Sequence, residues 1–148
     1  MRVRRALAAA ALLVVGIGSA GCRGGAQAED EQVQPATIEA VAGTDLSRVT
    51  LTEEGAGRLG IRTAPVAPAA GKGPARTTIP FSAVLYDADG QAWAYTTVGE
   101  NAFVRAPITV DRVDGETAYL VKGPAVGTAV VTVGAPELYG AEYGVGGE

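Results

Sequence analysis

The chain has 148 residues, with 12 Lys and Arg against 16 Asp and Glu for a formal net charge of −4, no His, one Cys and one Met. Without His, Ser–His–Asp triads, zincin motifs and His-ligated haem or copper are excluded. One Cys builds neither an internal disulfide nor a cysteine zinc cluster, and Met1 alone supplies no thioether copper site. The length predicts one domain, or one domain and a tail, and an apolar fraction of 47% accompanied by 21 Gly and 8 Pro suits short strands and turns better than a large aromatic core.

Residues 1–21 read as a targeting segment. Arg2, Arg4 and Arg5 form a positive start, and residues 6–17 form an apolar stretch too short to span ~30 Å of hydrocarbon as a permanent helix. Ser19, Ala20 and Gly21 then lead directly into Cys22. This order resembles the lipobox of bacterial lipoproteins, with Ser19 where Leu is commonest. The resemblance implies cleavage before Cys22 and acylation of its thiol. A plain secretory signal, cut at Gly21 or Ala28, and an uncleaved anchor are the alternatives. All three place Arg23 onward outside the cytoplasm. Two or three acyl chains hold a protein on a bilayer stably, where one is marginal at ~0.8 kcal/mol per buried methylene. With Arg2, Arg4 and Arg5 removed, nine basic residues face 16 acidic ones, a net charge of −7, which argues against binding nucleic acid.

Residues 22–45 are expected to be the lipidated Cys and a flexible, polar, acidic tether. The cluster Glu29, Asp30 and Glu31 within them is best read as solvated charge. Val49 and Leu51 alternate with Thr50 and Thr52 as in a strand. Thr52 is positioned to cap a short helical turn that carries Glu53 and Glu54 near its positive end. Extended structure resumes over residues 61–66, and residues 67–76 are a Pro/Gly/Ala connector.

From Thr77 onward the pattern is β. An apolar run covers residues 79–86, with Pro80 marking an edge or a strand start. The sequence Asp87-Ala88-Asp89-Gly90 is a hairpin turn signal. Residues 91–98 alternate as a strand, Gly99-Glu100-Asn101 turns, and residues 102–113 form a long strand interrupted at Pro107. Asp114-Gly115-Glu116 is the next turn, residues 117–121 the next strand, and residues 129–133 the last. A helical turn at 136–139 and a Gly-rich tail, 145–148, follow. The expected fold is all-β: a small antiparallel β-roll or barrel over residues 46–144 with one or two short helical turns.

No motif specifies catalysis, and neither an enzyme activity nor a cofactor or metal is expected. Asp87-x-Asp89-Gly90 lacks the later oxygen ligands and terminal Glu of a calcium loop. Ser82 has no nucleophile elbow around it. The carboxylate pairs Asp111 with Asp114 and Glu137 with Glu142 read as loop charge without a cleft between them. Trp93 and Tyr95, on one strand face, are the weak candidates for a ligand-binding pair that stacks on sugar; filling the core is the competing role.

A set of residues along the chain resembles HlyD/CusB-type periplasmic adaptors, the membrane fusion proteins of RND and related efflux pumps. The matching pieces are Ile79-Pro80-x-Ser82-Ala83-Val84, the Tyr86–Gly90 turn, Ala94-Tyr95, Phe103-x-Arg105-x-Pro107-Ile108-x-Val110, Gly123 to Gly127 before Val130–Ala135, and Glu137–Glu142. Val49–Thr52 and Leu59–Val66 resemble the strand with which such adaptors begin after their anchor. In that family the two chain regions meet in a membrane-proximal β domain that docks on the pump. The lipoyl-like, helical-hairpin and β-barrel domains of the family are missing here, with only residues 67–76 between the matched stretches. A short connector can stand in for such an excursion where the chain leaves and re-enters the domain at adjacent points.

The resemblance implies a lipid-anchored accessory subunit on the outer (periplasmic or extracellular) face of a cell membrane. Its partners would be an RND-type or ABC permease and, through Cys22, the bilayer, with self-association left open. A cell-envelope lipoprotein that binds glycan or protein without a pump, and a remnant with no partner, are the competing readings.

Overall fold

The computed structural model describes residues 34–144. Cys22, the Glu29–Glu31 cluster, the targeting segment and the tail 145–148 lie outside the described residues. In chain order the elements are β1 (Ala36–Ala40), β2 (Ser47–Leu51), α1 (Glu53–Leu59), β3 (Arg62–Pro65), β4 (Ala67–Pro68), β5 (Thr77–Pro80), a 3-10 turn (Phe81–Ala83), β6 (Leu85–Tyr86), β7 (Ala92–Gly99), β8 (Ala102–Pro107), β9 (Thr109–Asp114), β10 (Thr117–Lys122), β11 (Ala129–Val133) and α2 (Ala135–Glu142).

The strands form two open antiparallel sheets. The larger runs β1-β2-β8-β7-β11-β3, with β6 beside β7; the smaller runs β4-β5-β10-β9. This is the all-β, mostly antiparallel class that the turn spacing predicts, and it contains no closed barrel.

Side-chain alternation along the strands divides the core in two. Ala94 of β7 and Val130 of β11 face the smaller sheet and pack with Ile79, Ala118 and Leu120, together with Val66, Ala83 and Ile108. Their neighbours Tyr95 and Val131 point the other way. They join Val49, Leu51 and Phe103 beneath Ala135 and Leu138 of α2. Tyr95 and Ala94 are both wholly buried, so β7 is covered on both faces, by helix on one side and sheet on the other.

Local chemistry sets the boundaries. Thr52 caps α1 by accepting the Gly55 N–H at 3.0 Å, Glu53 and Glu54 occupy the first turn, and Gly60 ends the helix in the left-handed region. The apolar run at 79–86 is not one strand. Pro80 ends β5, the 3-10 turn takes Phe81–Ala83, and only Leu85–Tyr86 pairs with β7. The break expected at Pro107 is real and larger than a kink: β8 belongs to the larger sheet and β9 to the smaller, so the chain changes sheets at Ile108.

Three boundaries need correction. Within the expected tether 22–45, Ala36–Ala40 is strand β1, paired with β2 from Ala36↔Leu51 to Ala40↔Ser47. Ala36, Ile38 and Ala40 alternate with Thr37 and Glu39, a period-2 signal made faint by its acidic, polar surroundings. The ladder to β2 supplies the ordering that composition does not. The connector also starts one element late, because Ala67–Pro68 pairs with β5 as β4. The C-terminal helical turn is longer than expected and ends at Glu142.

Candidate functional site

The densest polar cluster of the described domain lies at the end of α2, over the helix-side face of β7 and β8. Tyr95 and Arg105 are register partners in that ladder. Both reach Glu142 of α2. The Tyr95 hydroxyl donates to Glu142 Oε2 at 2.5 Å, and Arg105 Nε donates to Glu142 Oε1 at 3.0 Å. The Arg105 and Glu142 side chains are 9% and 3% exposed, so this is a buried ion pair with both carboxylate oxygens engaged. Arg105 Nη2 donates to the Tyr143 hydroxyl.

Aromatic groups enclose the guanidinium. Its carbon lies 4.4 Å from the Trp93 ring centroid and 5.2 Å from that of Tyr143. Tyr143 in turn packs on Tyr139, with centroids 4.7 Å apart. The Trp93 indole N–H donates to Asp87 Oδ2 at 2.8 Å, while Asp87 Oδ1 accepts the backbone N–H groups of Asp89 and Gln91 at 3.0 and 2.8 Å. The indole bond, reinforced by the two amides and the Arg105 charge, holds the Asp87 carboxyl below its ordinary value. Burial pushes the Tyr95 phenol well above its ordinary value, and the adjoining Glu142 carboxylate pushes the same way.

The two aromatic candidates therefore share a face, as the alternation predicts, and have different surroundings. Tyr95 is wholly buried with its hydroxyl committed to Glu142. Trp93 is half-buried, one ring face taken by Arg105 and its N–H by Asp87. The residues that tie the cluster together, Arg105 and Glu142, carry no local signal, since 37 positions separate them.

The other sequence candidates are dispersed. Glu142 is buried on Arg105, whereas Glu137 lines a separate groove. Asp111 binds Arg112 at 2.9 Å, and the Arg112 guanidinium stacks on Tyr119 at 3.7 Å. Ser82 lies in the 3-10 turn beside Phe81 and Glu116. Asp87 and Asp89 serve the hairpin turn. Among the described residues no group of three or more His, Cys, Asp and Glu side chains is placed to hold a metal ion. No helix among them is long and apolar enough to cross a membrane.

The groove, of about 800 Å³, runs between β1, α1 and α2 and is lined by Pro35, Ala36, Ile38, Leu51, Leu59 and Gly140 among others. It is the open margin of the helix-side core. Chemically, the buried cluster clamps α2 to the larger sheet, and the groove offers apolar surface beside it.

Set against protein-family models, curated proteins and solved structures, the chain matches none.

Proposed function

We propose that this chain is a lipid-anchored extracytoplasmic adaptor or accessory subunit of a transmembrane efflux transporter, acting by docking rather than by chemistry. Cys22 carries the acyl anchor, the residues after it tether the β domain to the outer face of the membrane, and the domain binds a permease of RND or ABC type. Anchoring confines both proteins to one surface and raises their effective concentration for each other.

One observation supports the reading most. The two stretches that resemble the adaptor family, separated in sequence by the connector, are joined through the larger sheet, where β2 pairs with β8 and β3 pairs with β11, while Ile79, Pro80 and Val110 of the later stretch lie in the smaller sheet. That is the meeting of early and late chain regions that the family's membrane-proximal domain would require. The exposed Phe81, Val98, Val126 and Val133 add apolar surface for a protein partner.

Two measurements test it. Cys22→Ala should move the protein from the membrane to the soluble fraction; continued membrane attachment rules out lipid anchoring. Affinity purification of the anchored protein from detergent-solubilised membranes should bring down a polytopic permease. Recovery of glycan would move the reading to a cell-envelope binding module, for which Trp93→Ala should abolish glycan capture, and recovery of no partner would move it to a remnant.

A further inference from the structure

Sheet edges expose unpaired backbone groups, and proteins usually blunt them with proline, charge, a bulge or brevity. Four of the five outer edges among the described residues follow that rule, β6 by being two residues long. β3 ends in Pro65, and β4 is two residues long and includes Pro68. β9 carries Asp111, Arg112 and Asp114 and is paired to β10 through irregular register. The fifth edge, β1, has five residues with neither proline nor bulge, a single charge at Glu39 that already faces Arg48, and an exposed Ile38 at its centre.

The direction of the β1 backbone follows from its flanking bonds. Thr52 N–H donates to Pro35 O at 3.0 Å, and Val41 N–H donates to Leu46 O at 2.9 Å. In the same register, Thr37 and Glu39 turn their backbone groups toward β2, and Ala36, Ile38 and Ala40 turn theirs outward. The next ladder has the matching phase, since Leu51 N–H donates to Asn101 O at 2.8 Å on the β8 side. Among the described residues nothing pairs with the outward N–H and C=O groups of Ala36, Ile38 and Ala40.

We propose that β1 pairs with the β1 of a second copy of this chain, antiparallel about a two-fold axis through Ile38, joining the two larger sheets into one. The strand is self-complementary in that register. Ile38 meets Ile38 of the second copy, Ala36 meets Ala40, and about six backbone hydrogen bonds form between outward groups. Glu39 meets Thr37, so no like charges oppose each other, and Glu39 already has Arg48 at 3.9 Å. Ile38 faces Val49 and Ala36 faces Leu51 in the β1–β2 register, which puts them on the helix-side face. Ala36, Ile38 and Leu51 also line the 800 Å³ groove. The second copy's Ile38 therefore extends the apolar wall of that groove. Pairing at one edge closes on itself, so the product is a dimer and not a filament. This inference does not depend on the efflux reading.

The test uses the full chain with Cys22→Ser, so that an introduced thiol is the only one. Ile38→Cys should cross-link to a covalent dimer with a short bismaleimide about tenfold more efficiently than Arg62→Cys on the β3 edge, because facing residues of a hydrogen-bonded pair lie ~5.5 Å apart. Sedimentation at about 100 µM should show a dimer that Ile38→Lys and Ile38→Pro convert to monomer. The Ile38 N–H points away from β2, so Pro there removes no bond within one copy, and the circular dichroism of both variants should match the parent. Equal cross-linking at both sites, a monomeric parent, or a dimer that survives both substitutions would each overturn the proposal. Pull-down of a permease by an Ile38→Lys chain would leave the docking reading standing without the dimer.

Discussion

Tyr95 and Arg105 stand directly opposite each other on β7 and β8, and each holds one oxygen of the same Glu142 carboxylate. Two strands and a helix thus meet at one carboxyl group. Removing the carboxylate leaves the Arg105 charge buried without its counter-ion, which typically costs about 3–5 kcal/mol. Denaturant unfolding of Glu142→Ala should show a loss of that size. The double variant Arg105→Met with Glu142→Leu should recover much of it, since a buried pair exchanged for apolar residues is often neutral. Additive losses in the double variant would show that the two residues act separately.

Alkaline pH should destabilise the fold through Tyr95. Its phenol is held above the ordinary value of 10.0 in the folded chain and returns to that value on unfolding. The stabilisation is therefore complete below pH 10, and it falls as the pH rises above 10, where the unfolded chain releases the proton and the folded chain keeps it. Tyrosinate absorbance followed together with circular dichroism should show this phenol ionising only as the fold is lost. Tyr95→Phe should flatten the slope of stability against pH above 10 by up to about 1.4 kcal/mol per pH unit.

Acid should act at Asp87 with the opposite sign. Its carboxyl is held below its ordinary value of 3.8, so the contribution is present above that pH and is lost as the pH falls through the folded value. Trp93, the chain's single Trp, reports on it directly through the indole bond. Its emission should change with a midpoint below 3.8 in the folded protein. In Asp87→Asn that transition should vanish; an unchanged titration would separate the indole signal from Asp87.

A side chain at the junction between β11 and α2 should cost more than one at an open turn. Gly134 has φ +90°, and a Cβ there would overlap Ile61 Cδ1, whereas Gly127 has φ +89° and open space around it. Gly127→Ala carries backbone strain alone, about 1 kcal/mol. Gly134→Ala adds overpacking, for a total of about 2–4 kcal/mol. Thermal unfolding of the two variants should separate these costs, and equal losses would mean that Ile61 gives way freely.

Strand content and turn positions were legible in the sequence wherever alternation ran between strong turn residues. Asp87–Gly90, Gly99–Asn101 and Asp114–Glu116 bracket β7 to β10 as expected, and Thr52 announced α1 by its capping chemistry. β1 was not legible, because Thr37 and Glu39 give it the composition of the tether before it, and its order comes from a partner strand rather than from propensity. The break at Pro107 was visible, but that β8 and β9 lie in different sheets depends on what packs against Ile108. The cluster was half legible. Trp93 and Tyr95 stood out as large aromatics on one face, but Arg105 and Glu142 looked like ordinary charges. Their role comes from folding a helix over a strand pair, and no local spacing encodes it.

The loop between β4 and β5 is closed at its base, where Ala69 N–H donates to Arg76 O at 3.0 Å. The chain therefore leaves the smaller sheet and returns to it at the same place, and the sheet is indifferent to what lies beyond that bond. This makes the loop a port for grafting. A reporter domain whose own ends lie close together could be inserted between Gly71 and Gly73, and the β domain would carry it without changing a strand, a register or the clamp on α2.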